Sequence, residues 1–353
     1  MLDLSVVVPV YNGAALLERC INSIVNQTTR YSVEVCLVDD GSTDDTLSIY
    51  KTKYMTCEET SESEHLQFRF LQQENAGPAK ARNNGMRMAE GRYIAFLDAD
   101  DYWENGYVEQ TVSFLDNNPE CVAVSVVCRN LAVNGMSFTP SIYEEQKGNE
   151  LVRKKRKSKK NISLHNKLPE TPFIIDDFYS YWGELCHVGT CSTTMRRNSA
   201  VKVLMREDLR ISEDYEFWLM LANHGRWGMI PYPLYVSDGA SAIVSQCDWI
   251  ARMQKRWNNA PTVAEWERRI VELKPELKLN ESFQKAEGRV ARNLIYCQLL
   301  SGRTELARLE TLKYGKYFVA DTIGRMMNIC KYTSLTWKML CTMLSYREYH
   351  RFE

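Results

Sequence analysis

Residues 93–103 read YIAFLDADDYW. The opening run is apolar and aromatic, as a buried strand requires, and it ends on Asp98, Asp100 and Asp101. Carboxylates this close repel and raise one another's pKa, so the fold tolerates them only with positive charge among them. A metal ion is the obvious source of that charge.

The chain upstream repeats the pattern of strand followed by polar loop. LSVVVPV (4–10) precedes the helix-like AALLERCINSIVNQ (14–27), and VEVCLVDD (33–40) precedes STDDTLSIYKTKY (42–54). QFRFLQQ (67–73) leads into GPAKARNNGMRMAEG (77–91) and then into YIAFLD (93–98). Continuous β-branched and aromatic runs between amphipathic helices predict a mostly parallel sheet flanked by helices. Such a sheet gathers the loops at the carboxyl ends of its strands along one edge, where they line a ligand crevice. Those loops are VPVYNG (8–13), VDDGSTDD (38–45), QENAGPAKARN (73–83) and LDADDYW (97–103).

Composition narrows the class. The chain has 353 residues, 44% hydrophobic and 25% charged, with a net charge of −1. That suits one large globular domain with an appended one, and near-neutrality argues against nucleic acid as the partner. Eleven cysteines without a CxxC pair point to reduced thiols, with Cys36, Cys121, Cys128 and Cys297 in apolar segments, and hence to a cytoplasmic protein. MLDLSVVVPVYNG reads as a first strand rather than an export signal, and no stretch matches a membrane span.

Downstream, residues 139–172 lose periodicity around RKKRKSKK (153–160), which reads as a flexible, solvated basic insertion. Residues 246–353 carry helix patterns throughout. Leu335, Met339, Leu340, Met343 and Leu344 recur at helical spacing, and 311–353 holds seven Lys/Arg against three Asp/Glu. This stripe either packs on the rest of the protein or lies on a membrane surface.

With SVVVPVYNG, VDDGSTDDT, ENAGPAKARNNGM, FLDADD and SEDYEFWL in this order, residues 1–245 closely resemble the family-2 glycosyltransferases. The resemblance implies a GT-A fold, inversion, a nucleotide-sugar donor such as a UDP-sugar, a divalent cation (Mn²⁺ or Mg²⁺) and a saccharide or lipid-linked acceptor. It implies that Pro9, Tyr11 and Asn12 border the nucleoside, Tyr11 flanking the base, although Asn12-Gly13 also suits a plain strand-ending turn. It gives Asp39 a hydrogen bond from the pyrimidine N–H, against the alternative of an acid pair at a helix N-terminus. Asn75, Gly77 and Arg82 match donor-side residues, Arg82 offering a planar fork or, alternatively, a structural ion pair.

By the same resemblance Asp98 faces ribose or shares the metal shell, and Asp100 binds the cation. Alternation agrees: in an extended segment Asp98 and Asp100 point one way and Asp101 the other. Oxygen ligands suit Mg²⁺ or Mn²⁺, and the five histidines (65, 165, 187, 224, 350) show no zinc spacing. Asp214 is the matching general base and Glu213 its support, though a capped helix with acids in its first turn reads identically, with Ser212 as cap. Many relatives carry a downstream His where this chain reads VSDGASAIVSQ; either Asp238 substitutes there as an oxygen ligand, or the cation relies on Asp100, phosphate and water. That departure leaves a catalytically degenerate nucleotide-sugar-binding protein as the alternative. A nucleotidyltransferase is a weaker one, since VPVYNG lacks a phosphate-gripping Lys or Arg.

Overall fold

The computed structural model describes residues 2–55, 65–130, 136–139, 142–147, 150–155, 171–185, 188–208, 213–238, 246–318 and 322–350. His187, Ser212, Ser241 and residues 156–160 of the basic run lie outside the described residues. The chain divides into two compact units: Met1–Asp176 with Cys186–Glu207 and Met220–Ser241, and Asp177–Leu185 with Asp208–Leu219 and Ala242–Glu353.

In the first unit β1 (Leu4–Val10), β2 (Val33–Asp39), β3 (Leu66–Gln72) and β4 (Tyr93–Phe96) form the expected parallel array. Their connections carry α1 (Leu17–Val25), α2 (Thr46–Tyr50) and α3 (Pro78–Met88). Helix α1 buries Leu17, Cys20, Ile21 and Ile24, the spacing of one helix face. The register aligns Val10, Asp39 and Gln72 across three adjacent strands. The loops after β1, β2 and β3 therefore leave the sheet at one level.

Beyond β4 the sheet becomes mixed. β5 (Tyr102–Trp103), α4 (Tyr107–Asn117) and β6 (Cys121–Asn130) follow. A separate antiparallel sheet holds β7 (Met136–Thr139), β8 (Ile142–Lys147) and β9 (Glu150–Lys155), so part of the stretch read as an insertion carries paired backbone. β10 (Phe173–Ile175) precedes α5 (Phe178–Leu185), then come β11 (Thr193–Arg196), α6 (Arg197–Val203), α7 (Glu213–Leu221) and β12 (Arg226–Ser237). The strand order is β10-β12-β6-β11-β4-β1-β2-β3, with β5 also paired to β12. β11 runs antiparallel to both β4 and β6. Cys36, Cys121, Cys128 and Cys297 are free and buried.

The second unit holds α5, α7, α8 (Gln246–Asn258), α9 (Val263–Leu273), α10 (Glu281–Leu300), α11 (Thr304–Tyr314), α12 (Thr322–Cys330) and α13 (Ser334–Tyr349). Asn280 caps α10, Thr333 caps α13, and Thr262 with Glu265 forms a capping box on α9. α5 and residues 213–219 of α7 fall in this unit, whereas the sequence reading drew the first domain as 1–245. Their aromatic side chains find partners here: Tyr179 meets Phe283 edge-on, Trp182 meets Tyr215, and Arg289 lies over the Trp182 ring. Among the described residues no helix is long and apolar enough to cross a membrane.

Candidate active site

The four strand-end loops are tied to one another by their own side chains. Asp39, the last residue of β2, is fully buried. Its Oδ1 accepts the Ser42 N–H at 3.0 Å and its Oδ2 accepts Gln72 Nε2 at 3.1 Å. Asp40 faces a different task. Its carboxylate accepts Gln73 Nε2, the Ala76 N–H and the Gly77 N–H, each at 2.8 Å. Asp40 thus fastens the 73–77 loop to the end of β2, and Asn75 reinforces it by donating to the Asp40 carbonyl at 3.0 Å. Gly41 has φ +77, and a Cβ there would stand 3.0 Å from the Asn75 nitrogen, so only glycine lets the two loops touch.

The first loop is joined to the second in the same way. Asn12 Oδ1 accepts the Thr43 N–H at 2.8 Å, and the Asn12 N–H donates to Ser42 Oγ at 2.9 Å. Asn12, not Gly13, adopts positive φ, at +51; asparagine tolerates that region through local hydrogen bonding. Pro9 is half-buried and Tyr11 is exposed. Gly77, at φ +92, opens α3, with Pro78 in its first turn.

The acidic stretch differs from expectation in shape. Residues 98–101 form a turn, closed by the Asp101 N–H on the Asp98 carbonyl at 3.0 Å. Alternation holds only for extended backbone, so the expected sorting of the three acids fails here. Ligand atoms of Asp98, Asp101 and Cys191 come within 4.8 Å of one another. Asp98 is held by Arg82, which is buried, at 2.7 Å; of the two readings of Arg82, the ion pair is present. Asp101 accepts Tyr235 Oη–H at 2.5 Å and the Asp238 N–H at 3.1 Å. Burial, and next the Asp98 and Asp100 charges, push its carboxyl up to about 7 against those two hydrogen bonds.

Cys191 is bonded to the acidic turn. Its Sγ accepts the Asp98 N–H at 3.2 Å, and burial, then the charges of Asp98 and Asp101, push its thiol well above the ordinary value. Asp238, weighed as an oxygen ligand, is ion-paired to Arg19 instead, and Arg19 also donates to the Asp100 carbonyl at 2.7 Å. Arg19 and Tyr235 were not singled out from sequence. Each acts through partners far along the chain, and only the tyrosine's place in IPYPLYV offered a signal.

The acids fit a hard dication. Asp98 and Asp101 bring carboxylate oxygens within 4.8 Å of each other, the buried Arg82 guanidinium pairs with Asp98 alone, and the raised affinity of Asp101 for a proton reports its burial and the negative charge of Asp98 and Asp100. Glu213 and Asp214 open α7 in the second unit, both partly exposed. In the same helix Glu216 is buried and ion-paired to Arg269 at 2.9 Å.

Residues 5–201 match the model of glycosyl transferase family 2, and the chain belongs to that family. It is 42% identical over 106 residues to the glycosyltransferase GlyA of Streptococcus pneumoniae, covering 30% of this chain and 14% of that protein. It is 27% identical over 263 residues to the minor teichoic acid biosynthesis protein GgaB of Bacillus subtilis, covering 73% of this chain and 25% of the relative. The chain thus spans a quarter or less of the length of these relatives. Among solved structures, S. aureus TarS 1–349 in complex with UDP-GlcNAc aligns with a TM-score of 0.56 at 17% identity, over 98% of this chain and 91% of that one. At that identity the likeness is one of fold, which is GT-A-like.

Proposed function

We propose that this chain transfers a sugar, with inversion, from a UDP-sugar to a hydroxyl of a saccharide or lipid-linked acceptor. The observation that carries the reading is the fully buried Asp39 carboxylate, set at the end of β2 among loops that hydrogen bonds hold together. A fixed carboxylate selects a base that presents an N–H. Uracil has one at N3 and cytosine does not, and leaving a buried acid without a donor is costly. Gln72, the side-chain donor now on Asp39, is exposed; it is the partner that gives way when the base enters.

Tyr11 flanks the base, with Pro9 and Asn12 shaping the loop that carries it. Asn75, Gly77 and Arg82 serve the donor side, and Asp98 receives the ribose or shares the metal shell. Asp98 and Asp100 would hold Mn²⁺ or Mg²⁺. When bound, such an ion supplies Lewis-acid stabilisation of the charge that grows on the departing β-phosphate. Inversion also needs a base to take the proton of the acceptor hydroxyl as it attacks the anomeric carbon. Asp214 is assigned that role, with Glu213 beside it, on the strength of the SEDYEFWL motif. A positioned base contributes about 10²–10⁴-fold in rate. GgaB is described as a minor teichoic acid biosynthesis protein, which makes a teichoic acid an acceptor to assay beside glycans.

Thermal shift with a panel of nucleotides and nucleotide-sugars tests the donor reading, because a ligand bound only to the folded state raises Tm by mass action. UDP and one UDP-sugar should raise Tm in Mn²⁺, EDTA should reduce the rise, and CDP should give little. Asp100→Ala should keep the fold and lose the Mn²⁺-dependent part. Equal shifts by UDP and CDP would remove Asp39 from its role, and an EDTA-insensitive shift would remove the ion.

A further inference from the structure

Helix α13 is apolar on two sides. Trp337, Leu340, Cys341 and Leu344 are buried within its unit. On the other side Leu335 and Met339 are 70% and 65% exposed, followed by Met343 and Tyr346. At 100° per residue these four fall within a single arc of about 80°, facing away from the buried stripe. Ile329 and Tyr332, in and just after α12, are 74% and 72% exposed. Isolated exposed apolar residues need no explanation, but a continuous stripe marks an interaction surface.

The charges around the stripe decide what covers it. Lys338 and Arg347 flank it on opposite sides of α13, and both are exposed. Arg325 shares a face of α12 with Ile329, four residues on, and is also exposed. From Thr322 to His350 the sequence has four Lys/Arg and a single acid, Glu348. That acid is buried and bonded to Arg347 and the Tyr296 hydroxyl. Glu305, the acid whose charge Lys338 meets, is already engaged by Arg308 at 2.6 Å. A second copy docked through this stripe would bring like cations together with no exposed acid of α12 or α13 to answer them. Leucine and methionine for the acyl boundary, tyrosines with a polar tip and cations on either flank are the composition of a helix lying in a lipid interface.

We propose that the exposed face of α12–α13 binds the surface of an anionic lipid bilayer, the helices lying in the plane of the interface. Apolar insertion supplies one part of the attraction, and Arg325 and Lys338 supply a salt-sensitive part. The proposal is independent of the nucleotide chemistry.

Flotation of the chain with phosphatidylcholine vesicles, with and without phosphatidylglycerol, tests it. Binding should require phosphatidylglycerol and fall with added salt. Arg325→Gln and Lys338→Gln should each weaken it about fivefold. Leu335→Asn with Met339→Asn should weaken it at least about tenfold, with unchanged circular dichroism and Tm because both side chains point to solvent. Absence of flotation, or flotation unchanged in the double variant, overturns the proposal. So does a concentration-dependent dimer in light scattering without lipid that the double variant dissociates, since the covering surface is then a second copy.

Discussion

Arg19 on α1 and Asp238 just past β12 form an ion pair across 219 positions of sequence, and the same guanidinium holds the Asp100 carbonyl. Asp238 in turn donates its N–H to Asp101, beside the Tyr235 hydroxyl. The acidic turn is therefore clamped from both ends of the first unit's sequence. Asp238, which the sequence offered as a substitute metal ligand, anchors the turn.

Arg19→Met should accordingly raise the Mn²⁺ concentration needed for UDP binding several-fold while leaving the fold intact. The Arg19 side chain is 39% exposed, so the pair contributes no more than about 1 kcal/mol to stability. Asp238→Asn should produce a similar shift, and the double variant little more than either alone, because both act through one clamp. Manganese titrations of UDP binding on the four proteins measure this; additive effects would mean that the residues act separately.

Neighbouring acids Asp39 and Asp40 should separate cleanly. Asp40 accepts three hydrogen bonds, two of them from backbone N–H groups. Asp40→Asn should thus cost about 1–3 kcal/mol in urea unfolding. Asp39→Asn should weaken UDP binding about 10–100-fold, the worth of a charge-assisted hydrogen bond, and narrow the preference over CDP. Gln72→Met removes a competing donor and should leave UDP affinity equal or higher. Calorimetric titration with UDP and CDP distinguishes these outcomes.

Strands β1, β2 and β4 were legible because their β-branched runs are long, and the convergence of their loops followed from parallel topology alone. The antiparallel insertion of β11 between β4 and β6 was not, since Thr193–Arg196 is four residues whose partners lie 68 or more positions away. The directions of the Asp100 and Asp101 side chains were not legible, because alternation does not hold for residues that turn. Arg19 looked like an ordinary solvent-facing residue of an amphipathic helix; its significance comes from a partner on another strand end. Leu335 and Met339 were visible as helical periodicity, but periodicity does not say which of two apolar faces packs inward.

Glu287 on α10 gives the second unit a pH signature. Burial, and next the charge of Glu267, push its carboxyl up to about 7, against Lys313, Lys278 and Lys316. Below the ordinary glutamate range both folded and unfolded chains hold the proton, so the group contributes no pH dependence. Between there and about 7 the unfolded chain has lost the proton and the folded chain keeps it, so stability falls as pH rises. Glu287→Gln should remove that fall, and be the more stable protein above neutrality by up to about 3 kcal/mol. Urea midpoints of both proteins between pH 4.5 and 8 test the sign; parallel curves would place the carboxyl near its ordinary value.

Variants of Asp214 should separate binding from chemistry. If it takes the acceptor proton, Asp214→Asn should leave the UDP-induced rise in Tm intact while transfer falls about 10²–10⁴-fold, because the amide preserves shape and removes basicity. Glu213→Gln, which removes only a supporting charge, should cost less. The rate of Asp214→Asn should also lose the rise with pH that a titrating base imposes on the parent enzyme, which a merely structural defect would preserve. Sugar transfer under saturating donor, followed against pH for parent and variants, decides the matter. Parent-level turnover in Asp214→Asn would move the base elsewhere, whereas loss of the UDP-induced Tm rise would make the residue structural.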